Sequence, residues 1–326
     1  MLVVSIGCPC GIGPEVAVAA AARLARSPRV LVGDLAALRA AAEVVGIDPN
    51  RVVVFDGRSR GVIPVLQVGP PLSARDRRPG HPGKRAGQAQ LAYVNAAYDF
   101  ATAAPGRALV TGPVSKSVIA RSGSPGSDSF RGHTEWLRNR DGARTSIMCF
   151  VGRTLATSLA TTHVPIANLS HVLTADCVAD ACFWLARLLG GLGRKRPSLA
   201  VCSLNPHAGE GELFGSEERG AILPGIRAAR RRLRGGAQLV GPIGAETAYR
   251  KARSGGFDGV VAMYHDQATI PMKLLEFGEA VNVTMGLSVV RTSVDHGTGY
   301  DIAGAGQASA QGMVSAMKLA ARLVSE

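Results

Sequence analysis

The chain has 326 residues, of which 46% are hydrophobic, so it can bury one large core or two ordinary ones. Domain-size statistics favour two domains. Gly is abundant, at 40 residues, whereas aromatic residues make up only 5%. This balance is typical of an α/β protein with many tight strand–helix turns and argues against an all-β fold.

The formal net charge is +13, which raises nucleic-acid binding as one alternative. The densest cationic cluster, RAARRRLR at 227–234, follows helical periodicity. No aromatic residue interleaves with it, as a platform for stacking single-stranded bases would require. We interpret the cluster as a solvated helix face and expect no nucleic-acid partner. A positive field would instead draw in an anionic substrate or dinucleotide.

The six cysteines form no CxxC pair, and a chain of this size needs no disulfide staples. The N-terminal segment MLVVSIGCPCGIGPEV lacks the basic n-region of a secretory signal. No uncharged apolar run reaches the length of a membrane span. The sequence therefore predicts free thiols, a cytoplasmic location and no membrane partner.

Strands and helices alternate from the N-terminus onward. Segments 2–7, 30–34 and 52–55 are typical of buried strands. One helix is predicted to start near Pro14, since Pro suits the first helical turn, and another covers 35–45. This β-α-β alternation predicts a mostly parallel sheet with helices on both faces.

The same alternation continues through the rest of the chain. The Pro-, Gly- and Arg-rich stretch 69–87 predicts a loop, and an amphipathic helix follows around 91–101. Segment 108–116 (ALVTGPVSK) predicts a strand, a turn and a helix, and a loop over 122–132 leads to HTEWL. The apolar-faced stretch 308–324 predicts a C-terminal helix.

Three of the seven histidines share one predicted context, the carboxyl end of a strand followed by a polar or Pro-containing turn. They are His163 in TTHVP, His207 in NPHAGEG and His265 in YHDQ, and Thr111 ends another strand. Ligands bind outside the carboxyl ends of strands in open α/β sheets. Three imidazoles with an open coordination position are typical of a catalytic metal site. Their separation leaves convergence open, and a structural or surface role is the alternative for each.

Two further groups of polar residues are candidates for substrate contacts. His133 and Thr134 follow the loop and can hydrogen-bond an oxygenated substrate; the alternative for Thr134 is a helix N-cap, and both roles are compatible. Lys273, Asn282 and Arg291 are spaced nine apart, which suits successive strand or turn ends. Singly, each is more typical of an ordinary surface residue. Together they suggest an anion clamp for phosphate.

The stretch HGTGYDIAGAG at 296–306 offers Gly turns that would let a nucleotide approach the backbone. Neither this stretch nor the fragment GIGPE near the N-terminus is a GxGxxG motif after a first strand. A standard Rossmann site is therefore disfavoured.

Six blocks occur in the order seen in the 4-hydroxythreonine-4-phosphate dehydrogenase family, which the chain resembles from about residue 5 to 305. They are GIGPEV, TGPVSK, GHTEWL, SLNPHAGEGELFGSEE, YHDQATIPMK and RTSVDHGTGYDIAG. The last block also resembles the HGSAPDIAG-type stretch of isocitrate and isopropylmalate dehydrogenases, a related fold.

The resemblance implies two α/β/α domains with mostly parallel sheets and an interdomain active-site cleft, distinct from a standard Rossmann fold. The first, nucleotide-side domain would comprise 1–130 with 295–326. The second would comprise 131–294 and carry the metal ligands and the dimer interface. A homodimer with a shared active site is implied.

The resemblance also implies roles for residues that match the family's motifs. One divalent metal per subunit (Zn, Co, Ni, Mn or Mg) would be held by His163, His207 and His265. Substrate contacts would come from His133, Thr134, Lys273, Asn282 and Arg291, the last three near the phosphate. The nucleotide, NAD or NADP, would face His296, Gly297, Thr298 and Asp301. Lys116 or Asp266 would assist proton transfer.

The implied activity is metal-assisted, NAD(P)-dependent oxidation of 4-phosphohydroxy-L-threonine in pyridoxal 5'-phosphate biosynthesis, with decarboxylation of the 3-oxo product. An alternative is oxidation of D-threonate or D-erythronate 4-phosphate in sugar-acid catabolism, since these substrates also carry a phosphate. Relatives that oxidise carboxylated cyclic diols would have no use for a phosphate clamp. A basic nucleic-acid-binding protein is the alternative from another class.

The chain departs from the family pattern at three places. Cys8 stands where the family usually has Asp in GDPAGIGPE, and Glu246 stands where the family usually has the Asp of PADT. The loop 122–131 is longer than usual. The first two changes remove or lengthen a carboxylate, which bears on substrate identity more than on reaction class.

Overall fold

The computed structural model describes residues 1–57, 61–276 and 278–324. They form two compact units: Met1–Ala143 with the described residues from Leu287 onward, and Arg144–Gly286. The expected domains, 1–130 with 295–326 and 131–294, divide the chain at other points. The difference arises because Leu137 packs in the core of the first unit and the strand that carries Arg291 pairs with a first-unit strand. Residues 325 and 326 lie outside the described residues.

The strands of the described residues, in chain order, are β1 (Leu2–Ser5), β2 (Arg29–Gly33), β3 (Val52–Val54), β4 (Ile63–Gln67), β5 (Ala108–Thr111), β6 (Ile147–Val151), β7 (Ala156–Leu159), β8 (Ser198–Cys202), β9 (Gln238–Ile243), β10 (Gly259–Ala262), β11 (Val281–Met285) and β12 (Val290–Ser293). The predicted strands at 2–7, 30–34 and 52–55 are confirmed as β1, β2 and β3, with small shifts at their ends.

The α-helices of the described residues are α1 (Gly13–Arg23), α2 (Leu35–Val44), α3 (Lys84–Thr102), α4 (Lys116–Ala120), α5 (His133–Asp141), α6 (Leu169–Val172), α7 (Ala175–Gly190), α8 (Leu223–Leu233), α9 (Ala245–Arg253), α10 (His265–Leu275) and α11 (Gln311–Leu323). Helix α1 begins with Pro14 in its first turn, and the Asp34 side chain caps α2 by accepting from the Ala37 amide at 2.7 Å. These local signals explain why both helix starts were readable from the sequence.

In the first unit the strand order is β3-β4-β2-β1-β5-β12, and each of these neighbours pairs in parallel. Strands β1, β2 and β5 are buried along their whole length. Burial on both faces is what parallel strands covered by helices require, and it accounts for their continuous apolar runs.

In the second unit the order is β11-β6-β7-β10-β8-β9. Strands β7, β10, β8 and β9 run parallel, whereas β6 is antiparallel to both β7 and β11. The predicted α/β class with mostly parallel sheets is thus confirmed.

The basic cluster 227–234 lies on α8 and just beyond it, as the helical periodicity predicted. Ile226 and Ala229 face the core, while Arg227, Arg230 and Arg231 are exposed. Elsewhere, all six cysteines are free thiols. Within the described ranges, no helix combines the length and the apolar character that crossing a bilayer requires.

Candidate active site

A hollow of about 160 Å³ in the first unit brings together five of the residues to which the family resemblance assigns a role. They are Lys116, His133, Arg291, His296 and Gly297. We call it the Arg291 pocket. Its floor lies where β5 and β12 end, and the TGPVSK turn and the first residue of α5 form its walls. It therefore occupies the carboxyl edge of parallel strands, where α/β sheets bind ligands.

The Arg291 guanidinium is almost completely buried, with 4% of the residue exposed. Its Nε and Nη2 atoms donate to Thr111 Oγ1 at 3.3 and 3.0 Å, and Nη1 donates to Thr134 Oγ1 at 3.2 Å. Burial lowers the pKa of Arg291 to about 10, and nearby Glu135 acts in the opposite direction. The group remains charged at neutral pH, so its desolvation favours an anionic ligand in the pocket.

His133 contributes a neutral imidazole to the same pocket. Burial, followed by the positive charges of Arg291 and Lys116, lowers the pKa of His133 well below its usual 6.5. Its Nε2 atom is buried and has no hydrogen-bond partner in the described part of the chain. The same holds for Nε2 of His296. Because buried polar atoms are nearly always paired, two such nitrogens at one pocket indicate a site for a polar ligand.

Thr134 does not cap the helix on which it lies. Helix α5 begins at His133, Gly132 is the residue before it, and no side-chain cap is formed there. The N-cap alternative for Thr134 is therefore wrong. Its hydroxyl instead accepts from the Arg291 guanidinium, as a residue that orients a binding group would.

The predicted nucleotide segment also lies in the first unit. The Thr298 carbonyl accepts from the Ile12 amide at 2.9 Å, and a Cβ on Gly11 would lie only 2.5 Å from that carbonyl oxygen. Only Gly allows this approach. Asp301 is exposed. The fragment GIGPE thus contacts and supports the segment from His296 to Asp301. Its sequence did not predict this role.

Cys8, which replaces the usual Asp, lies against the same segment. Its Sγ is 3.3 Å from the hydroxyl of Tyr300, and both Cys8 and Cys10 are buried. A hydrogen bond with Cys10 is the main cause that lowers the pKa of the Cys8 thiol. The substitution exchanges a carboxylate for a thiol that packs beside the segment.

The three candidate metal ligands follow three adjacent strands of the second unit, in the order β7, β10, β8. His163 comes after β7, His265 after β10 and His207 after β8. The ring centroids of His163 and His265 are 5.8 Å apart. The His207 ring instead packs near Phe214, at 6.3 Å. Among the residues described, no three His, Cys, Asp or Glu side chains form a ready metal-binding group.

The chemistry of this donor set nevertheless fits a divalent cation. Nδ1 of His265 lies 2.7 Å from the Asp266 carboxylate, which leaves Nε2 of that ring available to a metal. A carboxylate behind an imidazole is the usual support for a metal-binding histidine. Two of the three expected ligands are adjacent, and the third lies on the neighbouring strand exit.

A second cavity, of about 490 Å³, opens beside His207 and is lined entirely by second-unit residues. We call it the His207 cavity. Glu246, which stands in place of the family's Asp, lines it together with Thr247 and Tyr264. The Glu246 carboxylate accepts from the Thr247 hydroxyl at 2.5 Å, and its side chain is largely exposed.

The residues of the predicted phosphate clamp lie in two different units. Arg291 is on β12 of the first unit, whereas Lys273 and Asn282 belong to the second. Lys273 was expected at a strand or turn end, and this is wrong: α10 continues through Pro271 to Leu275, so Lys273 lies exposed on a helix. Asn282 is on β11, and its Oδ1 is buried without a partner in the described residues. The joint clamp stays a prediction.

The two candidates for proton transfer have different surroundings. Lys116 begins α4 and lines the Arg291 pocket. Asp266 is engaged with the His265 ring. The geometry thus associates Lys116 with the polar pocket and Asp266 with a candidate metal ligand.

Comparison with known proteins supplies the family. Residues 25–320 match the model of the family described as pyridoxal phosphate biosynthetic protein PdxA. A 4-hydroxythreonine-4-phosphate dehydrogenase from Desulfosudis oleivorans is 39% identical, over 97% of this chain and 94% of that relative.

Solved structures agree with this match. The crystal structure of a 4-hydroxythreonine-4-phosphate dehydrogenase from Klebsiella pneumoniae has a TM-score of 0.83 at 32% identity and covers 99% of each chain. A terephthalate 1,2-cis-dihydrodioldehydrogenase from Burkholderia xenovorans has a TM-score of 0.71, also at 32% identity, over 98% of this chain and 97% of that one. From these matches, the chain belongs to the PdxA family of pyridoxal phosphate biosynthetic proteins.

Proposed function

We propose that the chain is an NAD(P)-dependent, metal-assisted dehydrogenase of 4-phosphohydroxy-L-threonine in pyridoxal 5'-phosphate biosynthesis. Relatives named as dehydrogenases support the oxidoreductase class. The observation that carries the proposal is the Arg291 pocket, where a buried guanidinium lies beside two unpartnered imidazole nitrogens. Such a site suits a small phosphorylated acid.

Each residue of the Arg291 pocket has a distinct part in this proposal. Arg291, held by the hydroxyls of Thr111 and Thr134, binds the phosphate, and Lys116 lines the same pocket. Neutral His133 makes a hydrogen bond to a substrate oxygen through its buried Nε2. A volume of about 160 Å³ is enough for a phosphoryl group and its nearest atoms, not for a dinucleotide.

The segment from His296 to Asp301 binds the NAD or NADP in this proposal, supported by the Gly-dependent approach of Gly11 to Thr298. When bound, a nicotinamide would supply the acceptor for hydride, and a divalent metal would lower the pKa of the substrate hydroxyl. His163, His207 and His265 would hold the metal, and Asp266 keeps the His265 ring in orientation. Lys116 moves the hydroxyl proton.

We also propose that the chain acts as a homodimer in which the loop that carries His207 completes the metal site of a second copy. His207 does not join His163 and His265 in a ready group of three among the described residues. The same loop exposes Leu213 and Phe214, at 73% and 48%. Exposed apolar side chains beside a candidate ligand are typical of a subunit interface.

The first test is a substrate screen with the purified chain. We expect NADH or NADPH to form with 4-phosphohydroxy-L-threonine, to cease with a chelator and to return with a divalent metal. Faster turnover of D-threonate or D-erythronate 4-phosphate would move the assignment to sugar-acid catabolism. No turnover together with salt-sensitive DNA binding would overturn the enzyme proposal.

Replacing Arg291 tests the phosphate assignment. In Arg291→Ala we expect KM for the phosphorylated substrate to rise roughly 10–100-fold, because a charge-assisted hydrogen bond is lost. KM for the dephospho analogue should change little. Arg131→Ala, at an exposed neighbouring position, is the matched control. Equal increases of KM for both substrates would contradict the assignment.

The lowered pKa of His133 predicts a pH effect on stability. Below pH 6.5 and above the folded-state pKa, the unfolded chain binds a proton at His133 that the folded chain does not. The free energy of unfolding should therefore fall as pH falls through this window. Denaturant titrations of His133→Gln should show a weaker pH dependence than the native chain, whereas exposed His81→Gln should not. An unchanged slope in His133→Gln would argue against the neutral imidazole.

Mixed dimers test the shared metal site. His207→Ala and His265→Ala homodimers should each be inactive, because every site lacks a ligand. If ligands come from both chains, a dimer of one variant with the other has one intact and one doubly defective site. Purified mixed dimers should then regain activity and bind one metal. Inactive mixed dimers would show that all three ligands come from one chain.

A further inference from the structure

The side chain of Gln267 joins two strand exits in the second unit. Its Oε1 accepts from the Met263 amide at 2.6 Å, and its Nε2 donates to the Ser203 carbonyl at 2.8 Å. Met263 directly follows β10, and Ser203 directly follows β8. The oxygen and the nitrogen of the Gln267 side chain therefore connect the backbone segments that follow β10 and β8.

Met263 extends the connection to the third strand exit. Its carbonyl accepts from Thr161 twice, from the amide at 3.2 Å and from the hydroxyl at 2.7 Å. Thr161 follows β7 by two residues and is buried. The three exits are thus tied in one chain of hydrogen bonds, from Ser203 through Gln267 and Met263 to Thr161. We call these four residues the strand-exit network.

Three members of the strand-exit network lie just ahead of a candidate metal ligand. Thr161 precedes His163 by two residues, and Met263 precedes His265 by two. Ser203 precedes His207 by four. Beyond a strand the ladder no longer fixes the backbone, so hydrogen bonds of this kind determine where the following side chain lies.

The His207 loop needs such support because its backbone is strained. His207 and Ala208 have φ of 50° and 53°, a left-handed conformation that is unfavourable for residues other than Gly. The buried Glu218 carboxylate holds the loop by accepting from the Leu204 and Asn205 amides, each at 2.9 Å. Gln267 then fixes this loop against the start of α10.

We propose that Gln267 is a positioning residue for the metal ligands, which fixes the backbone leading from β10 to His265 and from β8 to His207. This role is the same whether the two histidines serve one metal site or, as in the proposed homodimer, two. Gln267 contacts backbone groups of the network and reaches the metal only through the histidines. The proposal rests on the proposed function, in which those histidines bind a divalent cation. It assigns Thr161 the same role at the β7 exit, through its hydroxyl.

Two pairs of variants test this role. Gln267→Glu keeps the acceptor for the Met263 amide but places a carboxylate oxygen against the Ser203 carbonyl, and Gln238→Glu, exposed on β9, is its matched control. Thr161→Val removes the hydroxyl donor at nearly constant shape, and Thr161→Ser restores it. The affinity for Co²⁺ is measured in the full chain by competition with a chelator, together with the visible absorption of the bound Co²⁺.

We expect Gln267→Glu and Thr161→Val to bind Co²⁺ roughly 10–100-fold more weakly, as loss of outer-shell support usually does, with an altered absorption spectrum. Gln238→Glu and Thr161→Ser should resemble the native chain. Native affinity and spectrum in both Gln267→Glu and Thr161→Val would overturn the positioning role. A native chain that binds no Co²⁺ would overturn the proposed metal function itself, which is a distinguishable result.

Discussion

Parallel pairing of neighbouring strands is the constraint on which the candidate sites depend. When strands run the same way in register, their carboxyl ends meet at one edge of the sheet. In the first unit Thr111 of β5 and Ser293 of β12 are partners in the strand register, and both line the Arg291 pocket. In the second unit the central position of β10 between β7 and β8 brings the exits that precede His163, His265 and His207 side by side. Residues more than 40 positions apart in sequence thereby become neighbours.

Desolvation gives the Arg291 pocket its chemical character. A guanidinium with hydroxyl neighbours keeps its charge but loses water, which favours an incoming anion over a neutral ligand. The same burial, with two nearby cations, keeps His133 neutral. The pocket therefore combines one firm positive charge with an imidazole that can donate or accept a hydrogen bond. In the second unit, the side-chain amide of Gln267 makes two hydrogen bonds, which connect the loops that follow β10 and β8.

Much of the local structure was readable because it depends on local chemistry. Pro14 at the start of α1 and the continuous apolar runs of β1 and β2 are such cases. The role of Thr134 and the position of Lys273 were harder to predict from the sequence. A Thr at a helix start can cap the helix or contact a ligand-binding group. The start of α5 at His133 excluded the cap, and the packing of Arg291 showed the contact. Lys273 was misplaced because its spacing of nine from Asn282 suggested successive strand or turn ends, whereas α10 runs through it to Leu275.

By itself the sequence determined the α/β class, the strand-end position of the histidines and the residue types of the candidate site, since these follow from periodicity and from motifs within short windows. Only the tertiary structure decided which of those residues are neighbours. Arg291, His133 and Lys116 share one pocket, and Gln267 links the loops before His265 and His207. The physical reason is that pairwise side-chain geometry depends on strand order and loop conformation, which are set by packing between segments distant in sequence.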